Sequence, residues 1–214
     1  MFKVAVIPAY NESASLKAVI DSIAKYFDRI VVVDDCSTDH TPLIASDNGC
    51  IVHSNSINLG YDKSILIGLG IAIKLDPSII ITLDADGQHP ANTITSIIDH
   101  IVSSNCDVLL CSRTSFPRFS EYISSYLSRI LYGCPDLFTG MKCYCRRSLD
   151  LIPSLCSWDS VGTYYAFLAL NRNLKVHSFP ITCSSRVGIS RFGSSIRSEF
   201  KILTAFIYGI FRAI

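Results

Sequence analysis

The turn DADGQH, Asp84 to His89, follows directly on the apolar run SIIITL. Two carboxylates one residue apart, held in a turn rather than in a strand, can converge on one hard divalent cation and leave positions open for phosphate oxygens. Ala85 is the small residue between Asp84 and Asp86, and Gln88 offers a neutral oxygen. The plain alternative is an acid-rich turn capping a helix that starts near Pro90. An EF-hand loop fails on its own rule, because the position that needs Glu is Thr95. Other chemistry-bearing residues follow apolar runs in the same way: Asn11 and Glu12 after KVAVIPAY, Asp34 and Asp35 after RIVVV, and Arg113 after CDVLLCS.

Those runs are apolar on both faces and alternate with helical spacing. Strands are expected at KVAVIPAY, RIVVVDDCS, CIVHSN, SIIITL and CDVLLCSR. Helices are expected from Asn11 or Ser13 to about Tyr26, at TPLIASDNG, KSILIGLGIAIKL and NTITSIIDHIVSS. This is the pattern of a parallel α/β sheet covered on both faces, in which ligands bind at the carboxyl edge. Past Phe116 the pattern changes to a Ser-, Tyr- and Arg-bearing helix FSEYISSYLSRILYG, a strand-like GMKCYCRRS, a helix WDSVGTYYAFLALNRN and a last strand LKVHSFPITCSSR.

Seven segments carry a resemblance: VIPAYNES (6–13), VVVDDCSTDHT (31–41), NLGYDKSILIGLGIA (58–72), ITLDADGQHP (81–90), CSR (111–113), DLFTGMKCYCRR (136–147) and RVGISR (186–191). In this order and spacing the chain resembles the inverting family 2 glycosyltransferases of GT-A fold, and most nearly the dolichyl- and polyprenyl-phosphate sugar transferases. The resemblance implies a Rossmann-like, mostly parallel sheet with helices on both faces in a single domain. Residues 1–195 would form it, 1–115 binding the nucleotide sugar and 116–195 the acceptor; 196–214 would be a C-terminal apolar helix near the membrane. It implies that Pro8, Tyr10, Glu12, Val33, Asp35 and Ala85 line the nucleotide-sugar pocket, with Tyr10 as a stacking surface and Asp35 accepting from the base. Asp84 and Asp86, with Gln88, would hold Mg²⁺ or Mn²⁺ against the donor diphosphate, and Arg113, Arg186 and Arg191 would face phosphate oxygens. Asp136, four residues before Gly140, falls where the family keeps an acid near the acceptor, and is expected as a base or acceptor-site residue. Asp86, Asp136 and Arg113 are thus the expected catalytic groups.

Two departures from the family pattern bear on the acceptor and on the phosphate-binding arginines. The acidic pair common near the TG step of relatives with hydroxyl acceptors is absent, and the final motif is one residue short, with Arg191 where Lys is usual. The loop NLGYDKS lacks the second glycine common there, so Asp62 or Lys63 is expected to face the donor. Arg118, Arg129, Arg146 and Arg147 are cations that a lipid phosphate at a membrane surface would want. The expected activity is transfer of a sugar from GDP-mannose or a UDP-hexose to a polyprenyl phosphate or another membrane-proximal acceptor, such as a glycan. A non-catalytic nucleotide-sugar-binding or membrane-scaffolding relative is the alternative.

Composition agrees and excludes other classes. The 214 residues carry 19 Lys and Arg against 18 Asp and Glu, a net charge of +1, which argues against nucleic acid held by bulk electrostatics. Charged residues are 17% and mean hydropathy is +0.36, which rules out disorder. Nine cysteines without a CxxC pair read as reduced thiols in a cytosolic protein, here at the cytoplasmic face of a membrane. No run reaches the roughly 20 apolar residues of a bilayer span. The tail FKILTAFIYGIFRAI is expected either to lie in the interface, its cations snorkelling, or to pack as a core helix.

Overall fold

The computed structural model describes residues 1–114, 119–155, 161–184 and Thr204. Seven strands form one sheet: β1 (Lys3–Ala9), β2 (Arg29–Asp34), β3 (Ile51–Ser54), β4 (Ile79–Thr82), β5 (Val108–Arg113), β6 (Lys142–Cys145) and β7 (Val176–Ile181). Their order is β3-β2-β1-β4-β6-β5-β7. All pairings are parallel except those of β6, which runs antiparallel to both β4 and β5.

Because side chains alternate along a strand, each buried strand feeds two cores. Val4, Val6, Val31 and Val33 pack with Ile65 and Leu69 of α3 (Tyr61–Ile73) and with Tyr165 and Phe167 of α6 (Val161–Asn171). Ala5, Ile7 and Val32 pack on the other face with Leu16 and Ile20 of α1 (Leu16–Ile23), Ala45 of α2 (Thr41–Asp47) and Ile94 and Ile97 of α4 (Ile94–Ser103). Burying each such Leu or Ile contributes about 1.5–3 kcal/mol. One position shows how closely α3 lies on the sheet. A Cβ at Gly68 would stand 2.4 Å from Val6 Cγ1, so only glycine lets the helix sit there.

The expected strands and helices of the described residues are all present, with shifted ends. The first helix starts at Leu16 rather than at Asn11 or Ser13. Asn11 takes a left-handed φ of 51° and its Oδ1 accepts the Thr38 N–H at 2.8 Å, while the Ser13 N–H donates to Asp39. Both residues therefore tie the first loop to the second instead of capping a helix. These bonds also act on Asp39: burial pushes its carboxyl up, but donors from Thr41 and Ser13 prevail and hold it at about 2. The last motif, with Arg186 and Arg191, together with Arg118 and the expected C-terminal helix 196–214 apart from Thr204, lies outside the described residues.

Candidate active site

The carboxyl ends of β1 and β2 carry the first expected cluster. Pro8 and Val33 are register partners and both buried, so they form the floor between strands; the Val33 side chain packs beneath α3. Tyr10 emerges half-buried one residue past β1. The backbone N–H of Asp35 donates to Ala9 at 2.8 Å, which places Asp35 beside Tyr10. Glu12 is buried; its N–H donates to Thr41 and its Oε2 accepts from Ser15 at 3.0 Å. Asp35 is buried as well. Its Oδ1 accepts from Asn55 and the Leu59 N–H, and its Oδ2 from the Gly60 N–H, each at 2.8 Å. A carboxylate offers about four acceptor sites. Three of those on Asp35 fasten the loop that leads into α3.

That loop matters because α3 begins with Tyr61. The ring is 40% exposed at the rim, and its hydroxyl donates to Asp84 Oδ1 at 2.8 Å. Burial of the hydroxyl and then the Asp84 charge push the Tyr61 phenol up, so it stays a donor. On the other side, the Asp84 N–H donates to His89 Nδ1 at 3.0 Å, and His89 Nε2 stands 3.6 Å from Asp84 Oδ2. Since Nδ1 accepts, the proton of a neutral ring is assigned to Nε2, toward the carboxylate. Gly140 closes the third side. A Cβ there would lie 2.5 Å from Asp84 Oδ2 and 2.6 Å from Oδ1. Asp84 is therefore held by an aromatic hydroxyl, an imidazole and a backbone with no side chain.

Asp86 is buried, and its Oδ1 accepts the Gln88 N–H at 3.1 Å. The Gln88 amide nitrogen donates to the Ser184 carbonyl, and the Ser184 N–H returns a bond to the Gln88 carbonyl. The amide nitrogen of Gln88 is thus engaged, and Oε1 is its acceptor atom. Among the described residues no three His, Cys, Asp or Glu side chains gather into a complete metal cage. Two carboxylates and an amide oxygen at an open edge, one carboxylate in a cradle only glycine permits, still fit a hard cation that takes its other ligands from a diphosphate.

The antiparallel direction of β6 builds the rest. It brings Thr139 and Gly140 to the carboxyl edge of β4, where Thr82 Oγ1 donates to the Gly140 carbonyl at 2.7 Å. It also brings Asp136 to Arg113. Arg113 Nε donates to Asp136 Oδ2 at 2.8 Å and Nη2 to Oδ1 at 3.3 Å, a two-pronged pair in which Asp136 is 1% exposed. Glu121 approaches Arg113 Nη1 at 3.5 Å from α5 (Phe119–Tyr132). Burial works against the Arg113 charge, but the Asp136 bonds outweigh it and raise the guanidinium further. The residues expected to hold phosphate and to act on the acceptor are thus one ion pair. Lys142, at the start of β6, is buried with Nζ donating to the Thr139 carbonyl. Burial lowers its ammonium to about 8, against the raising influence of Asp136 and Asp84.

Tyr61, Lys142 and Glu121 were not read from the sequence as parts of this site, and His89 only adjoined it. For Lys142 a signal existed, a lone Lys in an otherwise apolar strand. Asp62 is half-buried beside Tyr61 in the first turn of α3, whereas Lys63 is exposed. Arg146 and Arg147 pair with Asp76 and Asp107 at the opposite end of the sheet, away from these acids. Arg129 is exposed in the last turn of α5. The thiols are free among the described residues, and burial pushes Cys111 up to about 12, so it is inert.

Known proteins resemble this chain in sequence and fold. The family model described as "Glycosyl transferase family 2" matches residues 4–144. A UDP-N-acetylglucosamine–dolichyl-phosphate N-acetylglucosaminyltransferase of Methanococcus voltae is 30% identical, over 92% of this chain and 91% of its own. A polyprenol monophosphomannose synthase of Mycolicibacterium smegmatis is 28% identical, over 92% and 84%. Among solved structures, a glucosyl-3-phosphoglycerate synthase of Mycobacterium tuberculosis, in complex with Mn²⁺ and UDP, shares the fold at a TM-score of 0.74 and 18% identity, over 99% of this chain and 79% of that one. With its mostly parallel sheet, its acids on the carboxyl edge and the family model spanning both, the chain belongs to glycosyl transferase family 2 and is a glycosyltransferase of GT-A fold.

Proposed function

We propose that the chain transfers a hexose, with inversion, from a nucleoside diphosphate donor to a polyprenyl phosphate. The observation that carries the reading is the cradle around Asp84, set next to the Arg113–Asp136 pair on one sheet edge. Tyr10, Glu12 and the Asp35 loop would receive the nucleoside, with Tyr10 as its stacking face. Asp84, Asp86 and Gln88 would hold Mg²⁺ or Mn²⁺, which when bound supplies positive charge to the departing diphosphate. Tyr61 and His89 keep the first of those carboxylates in place. A phosphate oxygen of the acceptor forms its bond to the anomeric carbon on the face opposite the breaking bond to the diphosphate, which inverts the centre. That nucleophile is already anionic near neutral pH and needs no base. Asp136 accordingly orients Arg113, and Arg113 steadies phosphate oxygens. The lipid acceptor follows the relatives named as dolichyl-phosphate and polyprenol enzymes. Membrane contact follows from the same acceptor; among the described residues no helix is long and apolar enough to cross a bilayer.

The test is thermal melting with UDP, GDP and their sugar conjugates, with and without Mn²⁺. A ligand at a hundred times its Kd stabilises the native state by about 2.7 kcal/mol, a rise of roughly 5–10 °C for a chain of this size. The expected result is a metal-dependent rise for one nucleotide, lost in Asp86→Ala while the ligand-free Tm hardly changes. No rise with any donor would overturn the reading.

A further inference from the structure

Helix α5 is turned inside out. Its buried face is Ser120, Glu121, Ser124, Ser125 and Ser128, while Phe119, Tyr122, Tyr126, Leu127, Ile130 and Leu131 face outward. Of the eleven large hydrophobic side chains exposed among the described residues, six are on this one helix. A helix on a water-facing surface normally shows the reverse. We propose that this outer face is a membrane-docking surface: α5 lies in the plane of a bilayer, its apolar side chains in the lipid and its serine face against the protein. The inference deepens the lipid-phosphate reading above and rests on it for the choice of lipid over a protein partner.

Three observations favour a bilayer. The helix joins the two functions physically, since Glu121 on its inner face reaches Arg113 of the active site while Phe119 and Tyr122, its neighbours along the turn, point out. An acceptor headgroup leaving the membrane at α5 would meet Arg113 directly. The outer face also mixes three aromatic side chains with aliphatic ones and carries an exposed cation, Arg129, in its last turn. Aromatic rings settle at headgroup depth and cations at anionic lipid. Finally, a helix of this length offers a strip of only about 21 by 10 Å. That footprint, roughly 200 Å², is far below the ~800 Å² per partner of a stable dimer, whereas an interfacial helix needs no partner surface.

The experiment uses the full chain and sedimentation with vesicles of phosphatidylcholine and phosphatidylglycerol. The wild type should co-sediment, and Tyr122→Ser/Tyr126→Ser/Ile130→Ser should lose at least about fivefold in bound fraction. Leu43→Ser, at an exposed leucine elsewhere, should bind like the wild type. Should the triple variant fail to melt cooperatively, Tyr126→Trp decides: its added fluorescence should be quenched by brominated lipid vesicles. A wild type left in the supernatant, a folded triple variant that binds undiminished, or a Tyr126→Trp variant whose added fluorescence is not quenched overturns the proposal. So does a dimer, seen by light scattering, that the triple variant abolishes. Nucleotide melting shifts on the same samples keep the two readings apart, because they report donor binding whether or not vesicles are bound.

Discussion

Replacing Gly140 with Ala tests whether the cradle around Asp84 is the centre of the site. The residue has no left-handed backbone requirement, so the added methyl acts through space alone. It would arrive 2.5 Å from Asp84 Oδ2, and ordinary contact begins at 3.4 Å. The carboxylate must therefore retreat by about 0.9 Å. It is not free to do so cheaply, because Tyr61 donates to Oδ1 and His89 Nε2 faces Oδ2. Losing the Tyr61 bond would cost about 1 kcal/mol, a fall of roughly 2–4 °C in Tm. The functional effect should be far larger. A ligand group displaced by close to an ångström costs about a hundredfold in rate, and metal-dependent nucleotide affinity should fall at least about tenfold. Calorimetric titration of UDP or GDP with Mn²⁺, alongside turnover and melting, gives all three quantities. Turnover and affinity within twofold of the wild type in a folded Gly140→Ala protein would refute the reasoning, since Asp84 would then be dispensable or placed elsewhere.

Two further variants probe the buried charges. Asp136→Asn keeps the shape of the Arg113 partner but removes its charge, and should lower stability by about 2–3 kcal/mol, or some 5–10 °C in Tm; an unchanged Tm with turnover abolished would make Asp136 a reacting group instead of the holder of Arg113. Lys142 sets a pH dependence: with its folded pKa lowered to about 8 from 10.5, its contribution is full above about 10.5 and is lost as pH falls to about 8. Wild-type Tm measured against Lys142→Met should thus improve between pH 8 and 10, with the variant ahead at pH 7; parallel curves would show that Lys142 is not buried as a charge.

Much of this protein was legible from the chain. Strands apolar on both faces can only be interior strands of a covered sheet, and a carboxylate or arginine directly after such a strand must surface at its end. That local logic places Glu12, Asp35, Asp84, Asp86 and Arg113 on one edge without knowledge of strand order. Partnerships between distant segments are another matter. Nothing in the run MKCYC shows that it enters antiparallel between β4 and β5, yet that direction is what sets Gly140 on Asp84 and Asp136 on Arg113. Nor does spacing tell which side of α5 faces in: its periodicity is plainly amphipathic, and the usual rule would bury the aromatic side. The chain determines that a helix has two faces and a strand an end. Which face meets the protein, and which acid meets which arginine, is decided only when segments far apart in sequence compete for the same space.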